Sequence, residues 1–441
     1  MRAVLTGILC LGFFIQNSFA LDLSLEMAVD KIMSESWDIK KADANLKKAD
    51  AQLDAVNANR WFKLEGTASY MNLVNIENPS KPMGVDLPPS LGGIISSALG
   101  QQIGRIEFPD NIFMAGLSLS QPIYTFGKIG NAVDAVKSAV KASESGLDLT
   151  RREVRYAAAN IYWTAKMTDG IVEIYEKSLS DAVSARKQLA SAGRASRANL
   201  VKIESDIAAK EINLSDAKFN RDTAHRMLKI LAGIDAEEEL NLTDEIPKTF
   251  SPIDAGKLTS NPEWDILDAQ VRMHESNASS KRAGNYPTLA ATASYNYIAM
   301  GDSIDGMFDK KGSQSAYWGL ALQVPIFNGG LNSANATMEA INAIAVRQDL
   351  DKSKKMKTEE YETAVKKHQH LRGNLANLEN AKNLARKAYD ISRDRFAAGQ
   401  TSAIELAEVS AALSQLDMAL LNTKYNILMS AESVRKLMVG E

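Results

Sequence analysis

Proline is missing from two long stretches of this chain. All eleven prolines lie at or before Pro325; none falls between Pro122 and Pro247, and none follows Pro325. Proline inside a helix removes a backbone hydrogen bond and clashes with the preceding turn. Both stretches are rich in Ala, Lys, Glu and Leu, which predicts two very long helices over about 128–190 and 331–397. At about 1.5 Å per residue, each would run roughly 90–100 Å. Gly193 and Gly399 sit where each long helix gives way to a shorter returning one, about 196–232 and 402–438. The apolar stripe is thin and Ala-heavy (Ala157, Ala158, Ala159, Ala165), which suits close helix packing.

The two stretches belong to an internal repeat. Trp37-Asp38-Ile39 recurs as Trp264-Asp265-Ile266, and Thr67-Ala68-Ser69-Tyr70 as Thr292-Ala293-Ser294-Tyr295. Gly116-Leu117-Ser118-Leu119 with Pro122-Ile123-Tyr124 recurs as Gly319-Leu320-Ala321-Leu322 with Pro325-Ile326-Phe327. Ala192-Gly193, Ser196 and Leu200 recur as Ala398-Gly399, Ser402 and Leu406, and Lys218-Phe219-Asn220 as Lys424-Tyr425-Asn426. The order is kept throughout, so the chain divides into a first repeat, 21–245, and a second, 246–441. Each is expected to read helix, strand, loop, strand, long helix, turn, helix.

Period-2 alternation marks the strands. Leu64, Gly66, Ala68 and Tyr70 share one face, as do Phe113, Ala115, Leu117 and Leu119. In the second repeat, Leu289, Ala291, Ala293, Tyr295 and Tyr297 share a face, and so do Trp318, Leu320, Leu322, Val324 and Ile326. The opposite faces are small and polar. Loops are expected at about 76–110 and 300–315, both rich in turn residues. Asp302, Asp305 and Asp309 do not make a calcium loop, since Gly301 and Gly312 stand where carboxylates are needed.

Residues 1–20 carry Arg2, an apolar run from about Leu5 to Ile15, and Ser18-Phe19-Ala20. That pattern reads as a secretory signal peptide, with the mature chain starting at Leu21. Bulky Leu9 before Cys10, the sole cysteine, argues against a lipid anchor. No later run is apolar enough for a membrane helix. A net charge of −3 argues against nucleic-acid binding. The four histidines are scattered, and neither a nucleophile elbow, a phosphate loop nor a dinucleotide fingerprint occurs. No enzyme activity, cofactor or metal site is expected.

Strands of this length match those that cross membranes, but four cannot close a barrel, and an open edge cannot sit in lipid. If they span a membrane, chains must share them: two chains give eight strands, three give twelve. The Ser, Thr, Gly, Ala and Gln face suits a watery lumen, and Trp61, Tyr286 and Trp318, placed near strand ends, suit an aromatic girdle.

The duplicated halves, Gln121-Pro122-Ile123-Tyr124-x-x-Gly127 with its copy Val324-Pro325-Ile326-Phe327-x-x-Gly330, and the turns at Ala192–Ser196 and Arg395–Ser402 together resemble the TolC-type outer-membrane efflux and secretion channels. The resemblance covers essentially the whole mature chain. It implies a mainly α fold with membrane β: a homotrimer whose protomers each give four strands to a 12-stranded barrel in outer-membrane lipid, continued by a long periplasmic α-helical barrel. It also implies a passive exit for substrates of an inner-membrane pump, delivered through a periplasmic adaptor, in efflux or type I secretion. Pro122, Gly127, Pro325 and Gly330 then mark the strand-to-helix exits. Gly193, Arg194, Ser196, Gly399, Gln400, Thr401 and Ser402 mark adaptor-contacting tips. Glu405 and Glu408, on one helix face, match the family's acidic ring at the periplasmic constriction. The chain departs from the family at Asn199, where an acid is expected, and at Thr401, where an arginine is. The competing reading is a periplasmic coiled-coil adaptor or scaffold without a pore, against which the duplicated strand pairs speak; a third is a surface adhesin or structural fibre with no pore.

Overall fold

The computed structural model describes residues 21–72, 111–191, 197–253, 256–301, 303–309 and 312–438. In chain order the elements are β1 (Leu21–Leu23), α1 (Leu25–Glu35), α2 (Trp37–Asn57), β2 (Lys63–Asn72), β3 (Asn111–Tyr124), α3 (Lys128–Ser191) and α4 (Arg197–Ala232). Then come β4 (Leu240–Leu242), α5 (Pro262–Ala283), β5 (Thr288–Gly301), α6 (Ile304–Asp309), β6 (Ser313–Gln323), α7 (Leu331–Ala397) and α8 (Ala403–Leu437). The order strand, strand, long helix, shorter helix occurs twice, as the repeat requires. The long helices α3 and α7 hold 64 and 67 residues.

Local chemistry starts the helices. Ser24 caps α1, its hydroxyl accepting from the Met27 N–H at 3.3 Å. Ser36 does the same for Ile39 at the start of α2. At α5, Asn261 accepts from the Glu263 N–H at 3.0 Å and Pro262 fills the first helical position, where its missing N–H costs nothing. The chain divides into two compact units.

One unit comprises residues up to 48, 140–269 and 346–441. Its largest core gathers Leu23, Ala28, Val29, Ile32, Ala158, Ala159, Tyr162, Trp163, Leu228 and Leu242. Of the Ala stripe of α3 expected from the sequence, Ala158, Ala159 and Ala165 are thus buried, whereas Ala157 faces outward and is exposed. β1 pairs with β4 in parallel, joining the ends of the first repeat. Asp244 organises this seam: its Oδ2 accepts from the Leu25 N–H at 2.6 Å and lies 2.7 Å from the Tyr162 hydroxyl. Burial and the Asp244 carboxylate together push the Tyr162 phenol well above its ordinary value. Neither short strand was expected from the sequence, because three residues are too few to show a period.

The other unit, 49–139 and 270–345, holds the sheet. Its strand order is β2-β3-β5-β6, antiparallel throughout. Cross-strand partners place Leu64, Leu119, Ala293 and Trp318 in one row, and Gly66, Leu117, Tyr295 and Ala316 in the next on the same face. The alternating rows are Glu65, Ser118, Ser294, Tyr317 and Thr67, Gly116, Asn296, Ser315. One face is therefore apolar and the other mostly polar, as the alternation predicts.

Several boundaries differ from expectation. β6 ends at Gln323, so Val324, Pro325 and Ile326 lie beyond the strand. Proline has no N–H to give to a ladder, and the exit begins there. The expected loop at 300–315 is shorter than that, because β5 continues to Gly301, β6 starts at Ser313 and α6 lies between. Trp318 sits in the middle of β6 rather than near its end, while Trp61 and Tyr286 do flank the starts of β2 and β5.

Candidate functional site

Three places carry the features expected of a conduit. The first is the sheet itself. On its apolar face Trp318 is 87% exposed, and Leu64, Leu320 and Leu322 are each more than 60% exposed. A patch of this size on a single chain marks a surface built to meet lipid or another protein. On the polar face, Gly116 lies opposite Asn296, whose Oδ1 would stand 2.8 Å from an added Cβ. The glycine is thus needed to let the Asn296 amide lie across the strand and donate to Ser294 Oγ at 3.1 Å. At one end of the hairpin, Tyr70 and Asn72 both donate to Asn111 Oδ1, at 2.5 and 2.8 Å. β2 and β6 are the sheet's outer strands and, with two strands between them, run in opposite directions.

The second place is the pair of strand-to-helix exits. Pro122 lies inside β3 at a register shift, where Pro122 pairs with Ala290 and Tyr124 with Leu289. The chain then turns through Phe126 at φ 49° and Gly127 at φ 84° before α3 begins. In the second repeat the equivalent pair is Gly329 at φ 63° and Gly330 at φ 81°. Both exits therefore use two successive left-handed residues, a conformation that only glycine adopts freely. Phe126 is held there by rings: it stacks on Tyr286 at 5.9 Å and meets Tyr124 edge-on at 4.6 Å. Asn328 supports the second exit instead, its Oδ1 accepting from the Gly330 N–H at 3.1 Å and its amide donating to Asn285.

The third place is the turn between α7 and α8. Gly399, at φ 74°, donates to the Phe396 carbonyl at 2.9 Å, and Gln400 donates to Arg395 at 2.8 Å. This is a Schellman closure with glycine at the left-handed position. Ser402 then caps α8, accepting from the Glu405 N–H at 3.2 Å. Thr401 donates a short hydrogen bond to the Glu405 carboxylate. The Glu405 carboxylate is thus engaged at the helix start by Thr401, while its N–H is capped by Ser402, a local role that the pattern Ser402-x-x-Glu405 hints at in the sequence. Glu408 lies one turn further on, and both glutamates are exposed. Beneath them Ala403, Leu406 and Leu413 are buried with Ala185, Ile203, Tyr389 and Phe396. Gly193, Arg194 and Ser196 of the other tip lie outside the described residues.

A polar layer crosses the same packed region. Arg386 lies 3.9 Å from Asp181 of α3 and 3.8 Å from Asp390, with its guanidinium 5.5 Å from the centre of the Tyr389 ring. Burial, with Asp181 beside it, pushes the Tyr389 phenol up to about 12. Lys210 is buried and donates to Ser178 Oγ at 2.9 Å. Far from this layer along α7, His368 is also buried, held between Ser430 and the Ser251 carbonyl. No group of metal-ligating side chains occurs among the described residues.

Comparison with known proteins gives a consistent result. A family profile described as outer membrane efflux protein matches residues 28–233 and 258–440. The Campylobacter jejuni CmeC outer membrane channel superposes with a TM-score of 0.79 at 20% identity, covering 94% of this chain and 85% of that one. The outer membrane protein VceC of Vibrio cholerae gives 0.75 at 18% identity, covering 94% and 96%. CusC, solved in studies of its folding and transmembrane channel formation, gives 0.79 at 15%, covering 96% and 94%. A Haemophilus influenzae protein of uncharacterised role is 21% identical over 374 residues, 81% of this chain and 80% of its own length.

Proposed function

The chain belongs to the outer membrane efflux protein family, as an outer-membrane channel that reaches into the periplasm, and from that premise we propose that three copies assemble to form the pore. The observation that carries this reading is the incomplete sheet. Its outer strands β2 and β6 run in opposite directions, so β6 of one copy pairs antiparallel with β2 of the next without breaking the alternation. Closure also removes the open edges that lipid cannot tolerate. Three copies give twelve strands, with the Trp318 and Leu320 face toward lipid and the Thr292, Ser294 and Asn296 face lining an aqueous lumen. The proteins CmeC and VceC, which share the fold, support the choice of an outer-membrane assembly.

In this reading residues 1–20 are removed on export, and 21–245 and 246–441 are the two repeats that build the wall. Substrates arrive from an inner-membrane pump through a periplasmic adaptor and leave by passive flow, in efflux or type I secretion. The turn Gly399-Gln400-Thr401-Ser402, with Gly193, Arg194 and Ser196, meets the adaptor. Glu405 and Glu408 of three copies form an acidic ring at the constriction. The exits at Pro122–Gly127 and Pro325–Gly330 redirect the wall from strand to helix. Native mass spectrometry of the protein extracted from outer membranes tests the assembly. Three chains per particle are expected; a monomer under conditions that preserve folding would refute it. The ring has its own test, because Glu405→Ala with Glu408→Ala should relieve block by divalent cations, and unchanged block would remove the ring from the account.

A further inference from the structure

The channel reading leaves one charged cavity in the helical unit unused. It measures about 640 Å³ and lies between α1, α3, the segment after β4 and the last turns of α8. That size is ordinary for a small-molecule site, which spans about 300–1,000 Å³. Arg151, Arg152 and Arg155 of α3 line it together with Arg435 and Lys436 of α8, against two acids, Asp148 and Glu432. Both acids are already engaged. Asp148 pairs with Arg152 at 3.0 Å, and Glu432 with Arg435 at 3.1 Å. Lys436 rests 5.0 Å from the centre of the Tyr156 ring. Arg151 and Arg155 have no acidic partner among the described residues, although they stand one turn apart on the same face, where like charges repel.

Helix polarity explains only part of this. Arg435 and Lys436 sit in the last turn of α8, where cations are favoured. Arg151 and Arg155 lie well inside α3 and gain nothing from a helix end. The repeat supplies an internal control. In the register that matches Pro122 with Pro325, Lys354 and Thr358 stand at the positions of Arg151 and Arg155. Of the nearby cations of α7, Lys357 pairs with Glu360 at 3.0 Å and Lys366 with Glu362 at 3.2 Å, while Lys352, Lys354 and Lys355 are exposed and form no ion pair among the described residues. What the second repeat lacks at these two positions is the guanidinium pair, since Lys354 and Thr358 offer one ammonium and one hydroxyl there.

We propose that this cavity binds a small, multiply charged oxyanion bearing carboxylate or phosphate groups. Arg151 and Arg155 supply guanidinium forks, whose planar donors match either group, and Lys436 adds a third charge. A bound anion ties the middle of α3 to the end of α8, and its affinity falls as salt rises. Isothermal titration calorimetry on the full chain, extracted in non-ionic detergent at low ionic strength, tests this with citrate and pyrophosphate as separate probes. Saturable binding near one per chain is expected for at least one probe, weakened roughly tenfold or more by Arg151→Ser with Arg155→Ser. The stronger probe tells a carboxylate ligand from a phosphate one. Lys354→Ser should leave affinity unchanged. Arg151→Lys with Arg155→Lys keeps the charge but loses the forks, so an intermediate loss separates recognition from misfolding, and circular dichroism checks the helices. No saturable heat from the wild-type protein with either probe overturns the proposal, whether the site is empty of affinity or covered by a neighbouring copy. Equal affinity in the wild type and the double Ser variant overturns it as well.

Discussion

The two strand-to-helix exits trace the same backbone with different side chains. Phe126-Gly127 and Gly329-Gly330 both hold two successive residues at positive φ. In the first repeat a phenylalanine accepts that conformation because Tyr124 and Tyr286 pack on its ring. In the second repeat glycine needs no such support, and the neighbouring Ile326 and Phe327 are left 94% and 89% exposed. The comparison shows that the turn is what the architecture requires, while the chemistry around it is free to diverge. An aromatic cluster and a second glycine are alternative ways to satisfy one geometric demand.

The most severe way to break this comparison is to deny the backbone its freedom. Gly127→Val and Gly330→Val should each lose about 2 kcal/mol, because a β-branched residue is strained at positive φ. Urea unfolding in detergent micelles measures both. Gly127→Val should lose slightly more, since an added Cβ there also meets Asn131 Nδ2 at 3.2 Å, whereas Gly330 has open space. If both variants matched the wild type, the shared turn would not be a requirement.

The tip offers a second contrast, between strain at an exit and burial in a packed layer. Tyr389 has a folded value raised from 10.0 to about 12. A raised value means that the neutral phenol is favoured in the folded state. Its contribution is complete below pH 10 and is lost as pH rises through about 12. The wild type should therefore lose about 2 kcal/mol across that interval relative to Tyr389→Phe, which removes the titration. Identical alkaline unfolding curves for the two proteins would show that burial does not hold the phenol neutral.

A smaller effect is expected at the cap that starts α8. Ser402→Ala should cost about 1 kcal/mol, the usual value for losing an N-cap. It should also free the Glu405 backbone N–H and so disturb the only turn among the described residues that carries a proposed ring glutamate. The smallest effect is at Phe126 itself. Phe126→Gly should be within about 0.5 kcal/mol of neutral, since relief at φ 49° offsets the lost ring contacts. A large loss would mean that the aromatic cluster does more than excuse the strain.

Much of this architecture is legible in the sequence, for identifiable reasons. The long helices begin and end within a residue of expectation because proline exclusion and a closing glycine are local signals. The strand bodies follow from alternation. Strand ends do not: Ser313, Gln314 and Ser315 join β6 through pairing with Ile298, Tyr297 and Asn296, which no local pattern announces. β1 and β4 exist only because residues more than two hundred positions apart meet, with Leu21 opposite Leu240. Gly127 signals the first exit, but nothing in the sequence marks Phe126 as left-handed, since one of the two rings that hold it, Tyr286, comes from a distant strand start. At the tip the Ser402 cap was readable, whereas the Arg386, Asp181 and Tyr389 layer depends on two helices being brought together.

Single-channel recording in planar lipid bilayers tests the central claim most directly. Protein extracted from outer membranes should insert and give discrete conductance steps that grow with salt concentration, as a water-filled lumen lined by the Thr292, Ser294 and Asn296 face requires. A flat baseline from correctly folded, membrane-extracted protein would contradict the channel.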